Sequence, residues 1–549
     1  MQDEAPRFDY VIVGAGSAGC VLANRLSEDG KATVLLLEAG EEDSQFWVRV
    51  PLGVGKLLND SRLLWSADTE PEKEMYGNRL YWPSGKMLGG SSSVNGMIFV
   101  RGHPRRYMEW QAAGCPGWGW HDVLPYFMRL EDCESGDPAY RGRGGPIAVS
   151  RLPAEPVGAA FIEACERAGI RRTPDYNDFE AEGASHLQLS TSRGMRCSTA
   201  FGYLRPARQR PNLKVLTGAL AQQVLFAGTR AIGVRYRHGQ QAKTARARAE
   251  VVLCAGAVRS PQLLELSGVG AAQRLQDFGI PVVHDLPGVG ENLQDHLMPR
   301  VSFECARPIT VNDLLLSRTR MLGAALRYLL FRRGLLATPS ITALAYTRTR
   351  PGLPYPDVRI QTALVSGTSR LSASNDTGLD PHSGFHLGGY FIYPESRGRL
   401  HIAGRDAAAP PRIEANYLSA GLDREIIVAV IKLMRGIAAL QPLAGFIVRE
   451  TRPGPQAVSD DELLDFARRT GQTCWHPTGT CRMGSDAGAV VDPQCRVRGV
   501  QGLRVVDASV IPIMVASNTN APTIMVAEKA ADLIKAAADR IPAEIKAAA

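Results

Sequence analysis

One six-residue loop constrains this chain more than anything else in it. Tyr10-Val11-Ile12-Val13 reads as a buried parallel strand, and Gly14-Ala15-Gly16-Ser17-Ala18-Gly19 follows at GxGxxG spacing. Cys20 to Leu26 then reads as a helix and Thr33 to Leu37 as the next strand. Glu38 closes that strand, 19 residues after Gly19. Each part has a physical reason. Gly14 permits the tight turn, Gly16 lets backbone approach a pyrophosphate, and Gly19 lets helix and strand pack closely. The helix N-terminus favours the phosphates, and an acid at this register accepts ribose hydroxyls. An isolated GxGxxG says little. Set in a strand–turn–helix–strand–acid unit, it specifies a dinucleotide site.

The dinucleotide is not named by that unit. A second glycine-rich segment, Gly85-Lys86-Met87-Leu88-Gly89-Gly90-Ser91-Ser92-Ser93-Val94-Asn95-Gly96, suits a large flat ring packed against backbone amides. Pro83, Met87, Leu88, Met97 and Ile98 bracket it with apolar residues, which argues for burial over a surface loop.

Near the other end stand Gln472-Thr473-Cys474-Trp475-His476-Pro477 and Asn518-Thr519-Asn520-Ala521-Pro522. Taken alone, a histidine in a Trp–His–Pro loop reads as structural. Beside a redox dinucleotide it reads as chemistry. A neutral imidazole takes a hydroxyl proton near neutral pH, and a second polar group orients the oxygen. Alcohol oxidation needs both.

Composition excludes other classes. A net charge of +8 over 549 residues is mild, and the arginines are dispersed rather than striped. Nucleic acid is therefore not an expected partner. The ten cysteines have no framework spacing and no His cluster completes a metal site, so we expect reduced, buried thiols, no metal and a cytoplasmic protein. The fold begins at Phe8, which leaves no room for a signal peptide, and no apolar run reaches bilayer length. The length calls for two domains.

These blocks together resemble the glucose–methanol–choline (GMC) oxidoreductases, from about Phe8 to Ile534. The second glycine-rich segment looks like that family's first signature. Gly256-Ala257-Val258-Arg259-Ser260-Pro261-Gln262-Leu263-Leu264 looks like its second. Gly288 to His296, Arg196 to Ala200 and Gly502 to Ser509 resemble further family blocks. The fold implied is α/β: a Rossmann-like FAD-binding domain with an inserted α+β substrate domain. The cofactor implied is FAD. Its contacts would be Gly14, Gly16, Ser17, Ala18, Gly19, Glu38 and Ala39 from the first unit, then Leu88, Gly90, Ser91, Asn95, Gly96 and Met97 from the second. Ala221, Ala255, Gly256, Trp475, Asp507, Ala508, Pro522 and Thr523 would complete them. The resemblance makes His476 the base or alkoxide partner and Asn520 the second group, which hydrogen-bonds the substrate oxygen, at a place where the family uses His or Asn. Some members attach FAD through a histidine in the first signature. Val94 stands there, so a dissociable FAD is expected.

The expected organisation is discontinuous. Residues 1–152, 206–296 and 474–549 would form the FAD domain, and 153–205 with 297–473 the substrate domain. In the latter, His386 to Tyr393 and Gly398 to Ala403 read as strands and Asp423 to Leu440 as an amphipathic helix. Ser260 and Pro261 read as the N-cap and first residue of a helix. His103, His121 and His296 read as satisfied loop or core histidines. Asp313 to Leu336 mixes leucines with five arginines: a helix over the active-site entrance with a solvated basic face, or a peripheral contact with a membrane surface.

The leading reading is an FAD-dependent alcohol dehydrogenase, in the style of bacterial choline and primary-alcohol dehydrogenases, passing electrons to a quinone or other acceptor. An oxidase using oxygen is the runner-up. A fatty-acid photodecarboxylase shares the fold, but the Trp475-His476 pair with Asn520 favours alcohol chemistry. The alcohol and the oligomeric state stay open.

Overall fold

Two sheets organise the molecule, which is described by a computed structural model covering residues 5–368 and 378–539. The first runs in the order Leu213–Leu216, Val34–Leu37, Arg7–Val13, Gln241–Leu253, Arg230–His238, Ala219–Ala227. Leu503–Val505 adds in parallel to the C-terminal end of Gln241–Leu253, at Val251 to Leu253. The first four strands also pair in parallel. Val11, Ile12 and Val34 to Leu37 are buried, as strands covered on both faces must be. One face carries the helix Ser17–Ser27, packed against Asn520–Asp539.

The second sheet is antiparallel throughout: Ile447–Arg452, Arg300–Cys305, Gly384–Phe391, Val358–Ala363, Ile341–Thr347, Gly183–His186. Alternation sorts its faces. Ile360, Phe385 and Leu387 join a core with Ile426, Val430 and Met434 of the helix Gly421–Ala438. Arg359, Gln361 and Tyr390 take the other face, with Arg359 opposite Tyr390 in register.

Every strand of the first sheet falls within residues 1–152, 206–296 or 474–549, and every strand of the second within 153–205 or 297–473. Cores respect those limits less strictly, since Met75, Leu80 and Trp82 pack in the second core. The Ala-rich stretch after Ile534 reads in the sequence as a helical tail, and its residues 540–549 lie outside the described residues.

Three local expectations need correction. The helix after Cys254 is Gly256–Leu266, so Ser260 is no N-cap and Pro261 lies inside it. Proline lacks the N–H that would bond the Ala257 carbonyl, and Thr480 Oγ1 donates to that carbonyl instead at 2.6 Å. Asp313 to Leu336 is not one helix. Val311–Leu315 stops, Ser317 caps Arg318–Phe331, and Leu335–Ala337 forms a short turn of 3₁₀-helix. The strand expected from Gly398 to Ala403 shrinks to Arg399–His401. No helix among the described residues is long and apolar enough to cross a membrane.

Candidate active site

A cavity of about 800 Å³ runs between the two sheets. Its first end is backbone. Gly14, at φ +98°, would bring a Cβ to 2.6 Å from the Cys254 carbonyl oxygen. Gly90, at φ +50°, would bring one to 2.7 Å from the Gly16 Cα. The two glycine-rich segments therefore touch, and Gly89 N–H donates to the Ala15 carbonyl at 2.7 Å. The helix Ser17–Ser27 has no side-chain cap at Gly16, and Gly16, Ser17 and Ala18 line the cavity. An uncapped helix start against bare backbone fits a pyrophosphate.

Glu38 closes this end. Its carboxylate accepts from Ala15 N–H and Gly40 N–H, both at 2.8 Å. Burial pushes its pKa up to about 7, against those two donors. Asp507 is buried too, and burial raises its pKa. It accepts from Gly256 N–H, Ser260 Oγ and Ser509 N–H. This explains what Ser260 does in place of capping. Arg196 is fully buried and ties Asn95 Oδ1 at 2.8 Å to the Val48 carbonyl, holding the second glycine-rich segment in place.

The other end is built of side chains. Leu297–Met298 pairs antiparallel with Gln472–Thr473, which brings His296 beside the loop carrying His476. Asp295 staples that loop, accepting from His476 N–H at 2.8 Å and from the hydroxyls of Thr473 and Tyr417. Trp475 sits at φ +56°, its N–H on Thr473 Oγ1 and its indole N–H on the Tyr81 carbonyl.

Hydrogen bonds then fix every tautomer in the row, as an assignment from partners. The Ile392 carbonyl only accepts, so His296 Nε2, 3.3 Å away, carries a proton. Neutral His296 therefore accepts at Nδ1, where His476 Nδ1 lies at 3.0 Å and must donate. That leaves a lone pair on His476 Nε2, to which Asn518 Nδ2 donates at 2.9 Å. The Asn518 amide cannot flip, because its oxygen accepts from Arg359 Nη1 at 2.5 Å. Burial, then the neighbouring His296 ring and the charge of Arg359, hold His476 well below the ordinary histidine range. Burial pushes His296 down to about 3. Both rings are neutral at physiological pH.

Asn518 thus occupies the place expected of Asn520. Asn520 begins the helix Asn520–Asp539, and its Oδ1 accepts from Ser17 Oγ at 2.7 Å, at the cofactor end. Both asparagines line the cavity, as do His476, Trp475, Asp507, Ala508 and Thr523. So do Gly14, Glu38, Ala39, Ala221, Ala255 and Gly256, and from the second segment Gly90, Ser91, Asn95, Gly96 and Met97. Gly19, Leu88 and Pro522 are not cavity-lining. Gly19 is set against the Gly14 carbonyl, with 1.8 Å for a Cβ, and Leu88 and Pro522 are buried in packing. The sequence reading missed Asn518, His296 and Arg359. The first two lie inside motifs it had singled out, and Arg359 carried no motif at all.

Known proteins resemble this chain along nearly its whole length. Residues 8–298 match the N-terminal and residues 394–527 the C-terminal model of the GMC oxidoreductases. The chain is 43% identical to the mitochondrial choline dehydrogenase of Homo sapiens, over 96% of this chain and 90% of that one. It is 40% identical to the oxygen-dependent choline dehydrogenase of Vibrio vulnificus (strain YJ016), over 96% and 94%. Among solved structures, pyridoxine 4-oxidase from Mesorbium loti superposes with a TM-score of 0.86 at 32% identity, covering 95% of this chain and 98% of that one. With both models matched and relatives similar along nearly its whole length, the chain belongs to the GMC oxidoreductases, FAD-dependent enzymes acting on CH–OH donors.

Proposed function

We propose that this enzyme oxidises a neutral, largely apolar alcohol and passes the electrons to a quinone or another acceptor than oxygen. The observation that carries the substrate class is the charge of the cavity. Its acidic side chains among the described residues are Glu38 and Asp507, both held by backbone amides at the cofactor end. The substrate end presents Arg300, Gln361 and Tyr390 among Leu52, Val54, Met298, Ile341 and Val365. Three of the aromatic faces that would attract a cation already hold one. Lys56 lies over Trp47, Lys86 and Arg259 over Trp65, and Arg359 over Tyr390. A quaternary ammonium would lose its water here and meet no counter-charge. The choline named for the relatives is therefore a poor fit to this chain.

In this reading the substrate hydroxyl replaces the direct hydrogen bond between Asn518 Nδ2 and His476 Nε2, entering as the two groups part. The amide N–H donates to the oxygen, and the imidazole lone pair accepts its proton. FAD, when bound, supplies the hydride acceptor. His476 is too weak a base to remove the proton from a resting alcohol. As the carbon loses its hydride, however, the oxygen becomes strongly acidic, and a weak base then suffices. Proton transfer to Nε2 is thus tied to C–H cleavage. His296 holds the Nδ1–H of His476 and so keeps the proton off Nε2, whose lone pair passes from Asn518 to the substrate hydroxyl.

The residues also support FAD held without a covalent bond. Val94 lines the cavity in the first signature, and His476 is the one histidine lining it among the described residues. After acid precipitation the flavin should stay in the supernatant.

The test is anaerobic flavin absorbance during addition of choline, then of neutral aliphatic and aryl alcohols. Bleaching by the neutral alcohols is expected. Bleaching by choline alone rejects the substrate class and leaves the family intact. Recovery in air rather than with a quinone analogue rejects the acceptor and makes the enzyme an oxidase, like the pyridoxine 4-oxidase whose fold it shares.

A further inference from the structure

We propose that the helix Arg318–Phe331 docks this enzyme on an anionic lipid bilayer, with the mouth of the cavity against the membrane surface. Its inner face is ordinary. Met321, Ala324, Ala325 and Tyr328, at helical spacing, pack on Val50, Leu314 and Leu336. Its outer face is not. Leu322 is 63% exposed, Leu326 52%, Leu329 54% and Leu330 71%, and Phe331 follows at 66%. The spacing i, i+4, i+7, i+8 makes the four leucines one continuous stripe. Leu315 and Leu316, just before the helix, are exposed as well. Single exposed leucines are common, but a stripe of this kind marks a contact.

Charge identifies the contact. Arg318, Arg320 and Arg327 flank the stripe, Arg332 and Arg333 end it, and the segment 316–334 contains no acidic residue. Among the described residues one of these arginines pairs with a carboxylate, Arg320 with Asp313 at 3.7 Å. Apolar side chains between arginines match an interface of acyl chains beneath anionic headgroups. A second copy of this chain matches less well, because a two-fold contact would set this basic face against itself. At about 21 Å for 14 residues, the helix is too short to span and lies in the interface plane.

Geometry ties the surface to the site. Leu315, Met321 and Leu336 line the cavity, so the same segment forms its rim and the exposed stripe. A docked enzyme would draw apolar molecules from the layer in which they partition. The docking rests on the helix alone and not on the proposed alcohol chemistry.

The experiment is flotation of the full-length holoenzyme with phosphatidylcholine vesicles, with and without phosphatidylglycerol, at low and high salt. The enzyme should float with the anionic vesicles at low salt and less at high salt. The double variant Leu326→Ser/Leu330→Ser should bind at least about tenfold less. Its flavin spectrum and its bleaching by a water-soluble alcohol should match wild type, since both side chains are exposed and outside the cavity. Arg318→Gln/Arg327→Gln should lose the preference for anionic vesicles. The proposal is overturned if the wild type stays unbound to both vesicle types, or if the leucine variant floats as well as wild type. It is also overturned if sedimentation finds a dimer that the leucine variant dissolves while no vesicle is bound, which would assign the stripe to a second copy.

Discussion

The two ends of the cavity are built from different materials. The cofactor end is backbone: glycines pressed on glycines, an uncapped helix start, and two carboxylates tied to amides. The substrate end is a row of side chains, Arg359, Asn518, His476 and His296, each fixed by the next. Backbone requires particular residue types at fixed spacing within one short segment. A side-chain row recruits its members from a strand, two loops and a sheet edge far apart in the chain. The first material tolerates no added atom, whereas the second tolerates changes in proportion to the bond lost.

The largest effect is therefore expected at the backbone end. Gly14→Val places a β-branched side chain at φ +98° with its Cβ 2.6 Å from the Cys254 carbonyl oxygen. The purified variant should carry no flavin absorbance and no activity, with circular dichroism close to wild type. A variant that still binds FAD would mean that the cradle yields, and the contrast between the two ends would fail.

His476→Ala comes next. Turnover should fall by about 10²-fold or more with the flavin retained. Loss of flavin together with activity would place His476 among the structural supports of the cofactor and remove it from the chemistry.

Asn518 and Asn520 compare the two ends within three residues. Asn518→Ala removes the proposed donor to the substrate oxygen and should lower kcat by roughly tenfold to a hundredfold, the value of a hydrogen bond to a charged group. Asn520→Ala removes the partner of Ser17 and should act through FAD affinity, with kcat of the loaded enzyme within about threefold of wild type. Steady-state kinetics at saturating FAD separates them. Equal losses in kcat would dissolve the distinction.

The same two asparagines show where the sequence could be read and where it could not. Gly14, Gly16, Glu38 and Gly90 were legible because strand, turn and helix dictate them locally. Asn518 lies in the loop before the helix and Asn520 is its first residue, and only that helix start decides which one reaches His476. His296 looked like a core histidine because its partner lies 180 residues away, across the pairing of Leu297 with Thr473. Arg359 carries no motif: its meaning comes from facing Tyr390 in register and reaching Asn518 from there. Ser260 and Pro261 carried a sound local signal that tertiary bonds overrode, with Asp507 taking the serine and Thr480 the carbonyl that the proline left bare.

Arg359 gives the smallest and most discriminating effect. It bonds Asn518 and places a positive charge near His476, so it acts on the chemistry in two separable ways. The proposed proton transfer needs His476 neutral, and its folded pKa lies well below the ordinary histidine value, through burial first and through His296 and Arg359 after it. Protonation, and with it the acid limb of kcat/KM, should then begin well below pH 6.5 in the wild type, the reference value for histidine. Arg359→Met removes a charge that disfavours imidazolium. The pKa of His476 should rise and the acid limb should move to higher pH, still below the ordinary value because burial is unchanged. Arg359→Lys keeps the charge and loses the planar fork. Its limb should stay near the wild-type position while kcat falls through the looser Asn518. A limb that stays in place in Arg359→Met, measured by kcat/KM against pH, would show that Arg359 holds geometry only and that burial alone sets the basicity of His476.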